Sequence, residues 1–217
     1  MRLDIVVRNS QDNQPIPGAA INVYYQHVNG LKTVARNVTV GANGTASVDV
    51  PQTGNYTVEL WAEGFIPSTV TNYTMSCSSP VCDHVKLVSM SPTLAPGQTR
   101  IMMTWEKERP ADVDIHVMSV RRSDNQTCRT FYGYKTGCPE ISLDLDNTRG
   151  GLNGAETMTL LDNNVNKDYV YVIGVEDYGF ENNGTYFLDS GCEIRITNGI
   201  KTEEKKMVAS SVTKIKE

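Results

Sequence analysis

Apolar and polar residues alternate in short runs along most of the chain, the two-residue period of a half-buried β-strand. In NYTVELWA, Tyr56, Val58, Leu60 and Ala62 fall on one face, and Asn55, Thr57, Glu59 and Trp61 on the other. Runs of this kind, such as RLDIVVRN, INVYYQHV, DVDIHVMSV and YVYVIGVEDYG, are punctuated by Gly, Pro and Asn every ~10 residues, the spacing of a β-sandwich. No apolar stripe of helical period and useful length occurs before residue 200. The pattern predicts an all-β chain of two tandem antiparallel β-sandwich domains.

The Pro/Gly-rich segment SPTLAPGQTR separates the two sets of strands. The expected organisation is a first sandwich over residues 1–88, a linker over 89–98 and a second sandwich over 99–200. A charged tail over 201–217 reads either as a paired strand or as a short helix.

The 217 residues carry a formal net charge of -5, which argues against a nucleic-acid partner, because phosphate binding needs clustered Lys and Arg. No stretch is apolar for long enough to span a bilayer. The start, MRLDIVVRNSQDNQ, opens inside a strand and does not read as a signal peptide. That leaves an excised or mature exported piece, or an intracellular protein.

Two features favour export to the extracellular space or cell surface. Asn-X-Ser/Thr occurs at Asn37, Asn43, Asn55, Asn72, Asn125 and Asn183, the acceptor pattern for glycosylation. Cys77 and Cys82 bracket a four-residue turn, and Cys128 and Cys138 bracket a hairpin-like segment, so both pairs are candidates for small disulfide loops. Cys192 is left over, as a buried thiol or as a bridge to another chain. Zinc is a poor fit, since there is no CxxC and His27, His84 and His116 lack ligand spacing.

The candidate chemistry is acidic. In DVDIHV, Asp112, Asp114 and His116 fall opposite Val113, Ile115 and Val117. In EISLDLDN, Ser142, Asp144 and Asp146 fall opposite Ile141, Leu143 and Leu145. Carboxylates two residues apart on one face are at most about 7 Å apart and repel. They are either the solvated face of a sheet or, if the two segments converge, ligands for calcium. Asn147, Asn153, Glu156 and Asp177 are candidate additional oxygen donors from nearby loops. The metal set expected from the pattern is Asp112, Asp114, Asp144 and Asp146, with Ca2+ as the one candidate cofactor.

No nucleophile elbow, zinc-protease helix or phosphate loop occurs, so the chain does not read as an enzyme. A hydrolase using Asp112 and Asp114 would lack a supporting motif. The Cys128–Cys138 segment holds Phe131, Tyr132 and Tyr134, and Tyr178 and Phe180 flank Gly179. Such aromatics either stack on sugars or a protein partner, or pack on their own sheet.

Residues from VVRNSQDNQPIPGAAINVYY through TVGANGTASVDVPQTGNYTVELWAEGFIPSTVT resemble carboxypeptidase regulatory-like, prealbumin-like and collagen-adhesin B-type modules. Gly44 in the NG pair suits the primed hairpin turn of such a module. The segments around DVDIHV, LDLDNTRGGLNGAET and GVEDYG resemble an exported β-sandwich domain with a DLDLHV-type strand, with NGAE here where that family has GPE. The resemblances imply Ig-like or prealbumin-like sandwiches used as spacers, appendages and stalks. The expected function is an extracellular structural or adhesive module, a building block of a matrix, stalk or surface filament, with calcium stiffening. The alternative is a glycan-binding accessory module. The partners expected are proteins, by self-assembly or strand addition, and glycans, with no nucleic acid and no membrane insertion.

Overall fold

A computed structural model describes residues 1–27, 29, 31–77, 82–161, 168–179, 189–198 and 202–206, the last as backbone only. The chain divides into two compact units, Met1–Asn9 with Asn13–Thr93, and Ser10–Asp12 with Leu94–Glu217. Both are built from strands, and no described helix is long and apolar enough to cross a membrane.

The first unit holds β1 (Arg2–Asn9), β2 (Ala20–Gln26), β3 (Lys32–Thr39), β4 (Thr45–Asp49), β5 (Gly54–Trp61), β6 (Ser68–Met75) and β7 (Asp83–Met90). One sheet runs β4-β1-β7 and the other β3-β2-β5-β6. Alternate residues of β1, β2 and β5 fill the core: Leu3, Ile5 and Val7 from β1, Ile21 and Val23 from β2, and Tyr56, Val58 and Leu60 from β5. Burying each such side chain contributes about 1.5–3 kcal/mol. Tyr56 is fully buried, and its hydroxyl is satisfied by donating to the Gln52 carbonyl at 2.7 Å. Gly44 closes the turn before β4 with φ of 78°, and a Cβ there would meet Pro15 Cβ at 2.6 Å and Val7 O at 2.9 Å. The turn is not the primed hairpin expected of the NG pair, because β3 and β4 lie in different sheets and Asn43 does not take a positive φ.

Pairing is antiparallel except between β1 and β7, which run parallel in register from Arg2–Asp83 to Asn9–Met90. A parallel neighbour requires a crossover, and the chain supplies it by building the other sheet before returning.

The second unit holds β8 (Thr99–Thr104), β9 (Val113–Arg121), β10 (Thr127–Thr130), β11 (Ile141–Leu145), a 3-10 turn (Gly151–Asn153), β12 (Glu156–Leu160), β13 (Tyr169–Asp177), β14 (Glu193–Thr197) and β15 (Thr202–Lys206). One sheet runs β10-β9-β13 and the other β11-β12-β8-β14-β15. Their core contains Ile101 and Met103 of β8, Val113, Ile115 and Val117 of β9, Ile141 and Leu143 of β11, Met158 of β12, and Trp105. Within the tail, Thr202–Lys206 pairs with β14; residues 207–217 lie outside the described residues.

One expectation is overturned here. A solvated outer face on β9 would leave Asp114 and His116 in water, yet they are only 1% and 5% exposed. The segment between Cys128 and Cys138 folds back over that face. Phe131 stacks on the His116 ring at 5.4 Å, and Tyr132 meets it edge-on at 6.3 Å. Sequence alternation reports that β9 has two kinds of face, but not what lies against the polar one.

Candidate functional site: a buried carboxylate cluster

The cluster forms where the β9–β10 ladder stops. Pairing of β10 with β9 ends at Val117, so the Ile115 N–H is left beyond the last rung. The Glu156 carboxylate, at the start of β12, takes the place of a strand partner, and its Oε1 accepts from Ile115 N at 2.7 Å. This holds the first residue of β12 against β9. Carboxylate oxygens of Asp114, Asp146 and Glu156 lie within 4.8 Å of one another there.

Asp146 arrives by a break in register. Leu143 pairs with Met158, but Leu145 pairs with Thr157, so Asp144 is the extra residue of a bulge. A one-residue slip exchanges the faces of the residues beyond it. Asp144 stays on the side of Thr159, accepts a hydrogen bond from its hydroxyl, and lies 3.8 Å from Arg100 Nε. Asp146 turns toward Glu156 and meets Lys135 Nζ at 2.9 Å. The sequence placed Asp144 and Asp146 on one face; the bulge separates them. Of the four aspartates expected together, Asp114 and Asp146 meet, Asp112 lies beside them, and Asp144 belongs to the Arg100 pair.

Glu156 is fully buried and Asp114 nearly so. Buried Asp114 Oδ2, Glu156 Oε2 and Asp112 Oδ1 accept no hydrogen bond among the described residues. Burial pushes the Glu156 carboxyl up to about 9, against the Ile115 N–H that favours the charged form, with Asp114, Asp146 and Asp112 adding repulsion. Burial, then Asp112, Asp146 and Glu176, push Asp114 up to about 7. Asp112 is raised as well, by burial and by Asp146 and Asp177. An all-oxygen, carboxyl-rich donor set of this kind suits a hard cation, which would take the place of the protons that burial favours. Among the described residues, the other group with metal-ligand reach, Cys128, Cys138 and Glu140, includes a disulfide and offers no thiolate.

Beside the carboxylates, His116 is held as a neutral ring. Arg129 Nε donates to its Nδ1 at 3.1 Å, and Glu176 Oε2 lies 2.8 Å from its Nε2. Burial, and then Arg129, lower its pKa to about 4. Of the expected ligand-binding aromatics, Phe131 and Tyr132 are half-buried against this ring, while Tyr134 is 65% exposed. Tyr178, 56% exposed, meets Tyr132 edge-on at 5.2 Å.

The two expected disulfides, Cys77–Cys82 and Cys128–Cys138, are both present, with Cα separations of 5.8 and 5.3 Å. Cys192 is a buried free thiol, its pKa pushed up to about 12 by burial and then by Glu193 and Glu156. Asn37, Asn43, Asn55, Asn72 and Asn125 are exposed; Asn183 lies outside the described residues.

Sequence reasoning carried Glu156 only as a loop addition, and Lys135 and Arg100 not at all. A capping carboxylate and two lysine or arginine partners leave no periodic signal, because each is defined by a contact distant along the chain.

Comparison with known proteins bears on the first unit. Residues 3–87 match the carboxypeptidase regulatory-like domain. That stretch contains β1 to β6 and most of β7. No curated protein matches the sequence. Solved structures overlap weakly. The TIE protein of Bacillus anthracis shares 10% identity at a TM-score of 0.31, over 82% of this chain and 29% of its own. BcpA, the major pilin subunit of Bacillus cereus, shares 10% identity at a TM-score of 0.34, over 94% of this chain and 66% of its own. A suggested carbohydrate-binding protein from Bacteroides uniformis ATCC 8492 shares 12% identity at a TM-score of 0.32, over 95% of this chain and 98% of its own. The chain therefore spans less than two thirds of the first two proteins.

Proposed function

We propose that the chain is an extracellular structural or adhesive module, a non-catalytic building block of a matrix, stalk or surface filament whose second unit is stiffened by calcium. The observation that carries this reading is the match of residues 3–87 to the carboxypeptidase regulatory-like domain, followed by a second all-β unit with its own core. Two disulfides and five exposed Asn-X-Ser/Thr sites support an exported setting. Both units bury apolar side chains between sheets, an arrangement that resists extension and suits a spacer.

Sedimentation velocity of the purified chain over a wide concentration range tests the assembly part. A building block associates reversibly as concentration rises. A monomer at every concentration, with and without calcium, removes that part of the reading.

A second reading, glycan binding, is favoured by the exposed rings of Tyr134 and Tyr178, the latter edge-on to Tyr132. Rings held this way can stack on sugar faces. Replacing Tyr132 and Tyr134 by Ala then abolishes retention on a polysaccharide column while the melting curve stays cooperative. Equal retention of the variant sinks it.

A further inference from the structure

We infer that Asp114, Asp146 and Glu156, with Asp112 at the rim, form a calcium-class cation site that clamps the two sheets of the second unit together, and that Lys135 is the internal cation which the ion displaces. The inference rests on the reading that this unit is ion-stiffened, and it assigns the ligands, the strands joined and the competitor.

Four observations lead there. Asp114 stands on β9 in one sheet, whereas Glu156 starts β12 in the other and Asp146 follows β11 in that same sheet, so an ion shared among them ties sheet to sheet. The oxygens all lie within 4.8 Å of one another, and two ligands on opposite sides of a calcium ion are about 5 Å apart, twice the usual bond length. Asp114 and Glu156 are at least nine-tenths buried, and each carries one oxygen without a donor among the described residues. Buried polar oxygens are nearly always paired, so an orphan oxygen on each of two clustered carboxyls calls for a partner that the described side chains do not supply and a bound cation would.

The fourth observation is Lys135. Its ammonium reaches Asp146 Oδ2 at 2.9 Å from the Cys128–Cys138 loop, yet its side chain is 55% exposed. A tethered surface cation answers one carboxylate of the group and can swing into water when a divalent ion arrives. Calcium fits better than magnesium here. It accepts irregular geometry and many protein oxygens, whereas magnesium gives up its waters reluctantly. The soft-metal alternatives are disfavoured by the all-carboxylate donors.

Titration calorimetry of the full chain with calcium chloride near neutral pH tests the assignment, using Asp114→Asn, Glu156→Gln, Asp144→Asn and Lys135→Ala. The amide replacements keep the shape of each side chain, and Gln can still accept from Ile115 N. Wild type is expected to bind one ion. Asp114→Asn and Glu156→Gln each weaken binding by about ten-fold or more, since removing a charged ligand lowers affinity. Asp144→Asn leaves affinity unchanged. Lys135→Ala tightens binding, a gain that a poorly folded protein cannot produce. If only Asp144→Asn weakens binding, or if Lys135→Ala weakens it, the assigned site is wrong while ion stiffening survives. Absence of calcium binding to wild type overturns the site and the stiffening together, and leaves the structural-module reading to its own test.

Discussion

Glu156 sets the behaviour of the second unit at the residue scale, because its carboxyl is fully buried and one of its oxygens has the Ile115 N–H as donor. Its pKa of about 9, and that of about 7 for Asp114, lie above the ordinary carboxylate range, so the folded state favours their protonated forms. A raised folded-state pKa gives stability that is complete below the unfolded value and is lost as pH rises through the folded one. His116, lowered to about 4, stays neutral above 6.5 and adds nothing in that window. Asp112, Asp146 and Glu176 also face the group, with Lys135 and Arg129 the neighbouring cations. In chelator, the melting temperature of the second unit therefore falls between pH ~6.5 and ~9. A flat profile over that range would contradict the burial of these carboxyls. Asp144 makes a separate case. It faces the Arg100 guanidinium, which is 4% exposed, and Asp144→Ala is expected to cost about 3 kcal/mol in urea unfolding by leaving that charge buried without its carboxylate. An effect below about 1 kcal/mol would mean the pair is better solvated than its burial implies.

Short elements and their ends place the chemistry. Were β10 two residues longer, it would pair with Ile115 and leave no role for Glu156; were β11 without its bulge, Asp146 would face away from the cluster. The Cys128–Cys138 bond holds the loop that brings Lys135, Phe131 and Tyr132 over β9. Replacing both cysteines by Ala is expected to cost about 2–4 kcal/mol in stability. The same change should expose His116, raising its pKa toward the ordinary value, which NMR titration of the ring reads directly. An unmoved His116 titration would show that the loop stays in place without its crosslink. The turn into Gly151–Asn153 is fixed sterically, since a Cβ on Gly150 would run into Trp105 Nε1 and the Lys107 carbonyl oxygen. Gly150→Ala is therefore expected to lose about 1–3 kcal/mol by overpacking.

The whole molecule consists of two units with separate cores, one around Leu3, Ile5 and Tyr56, the other around Met103, Ile115 and Met158. Differential scanning calorimetry is expected to resolve two transitions, with calcium raising only the one that belongs to the second unit. A single transition, or a shift in both, would mean that the units do not melt independently. The division between what was legible in the sequence and what was not tracks range along the chain. Strand alternation in Tyr56, Val58 and Leu60, a turn at Gly44 and the Cys128–Cys138 loop arise among near neighbours, so an all-β sandwich chain with two short disulfide loops was already written in the order of residues. The parallel pairing of β1 with β7, the bulge that parts Asp144 from Asp146, the reach of Glu156 to Ile115 and the pairing of Arg100 with Asp144 were decided only in the tertiary structure. Alternation with period two states which residues share a face; it cannot state where a ladder ends or what the next sheet brings against it.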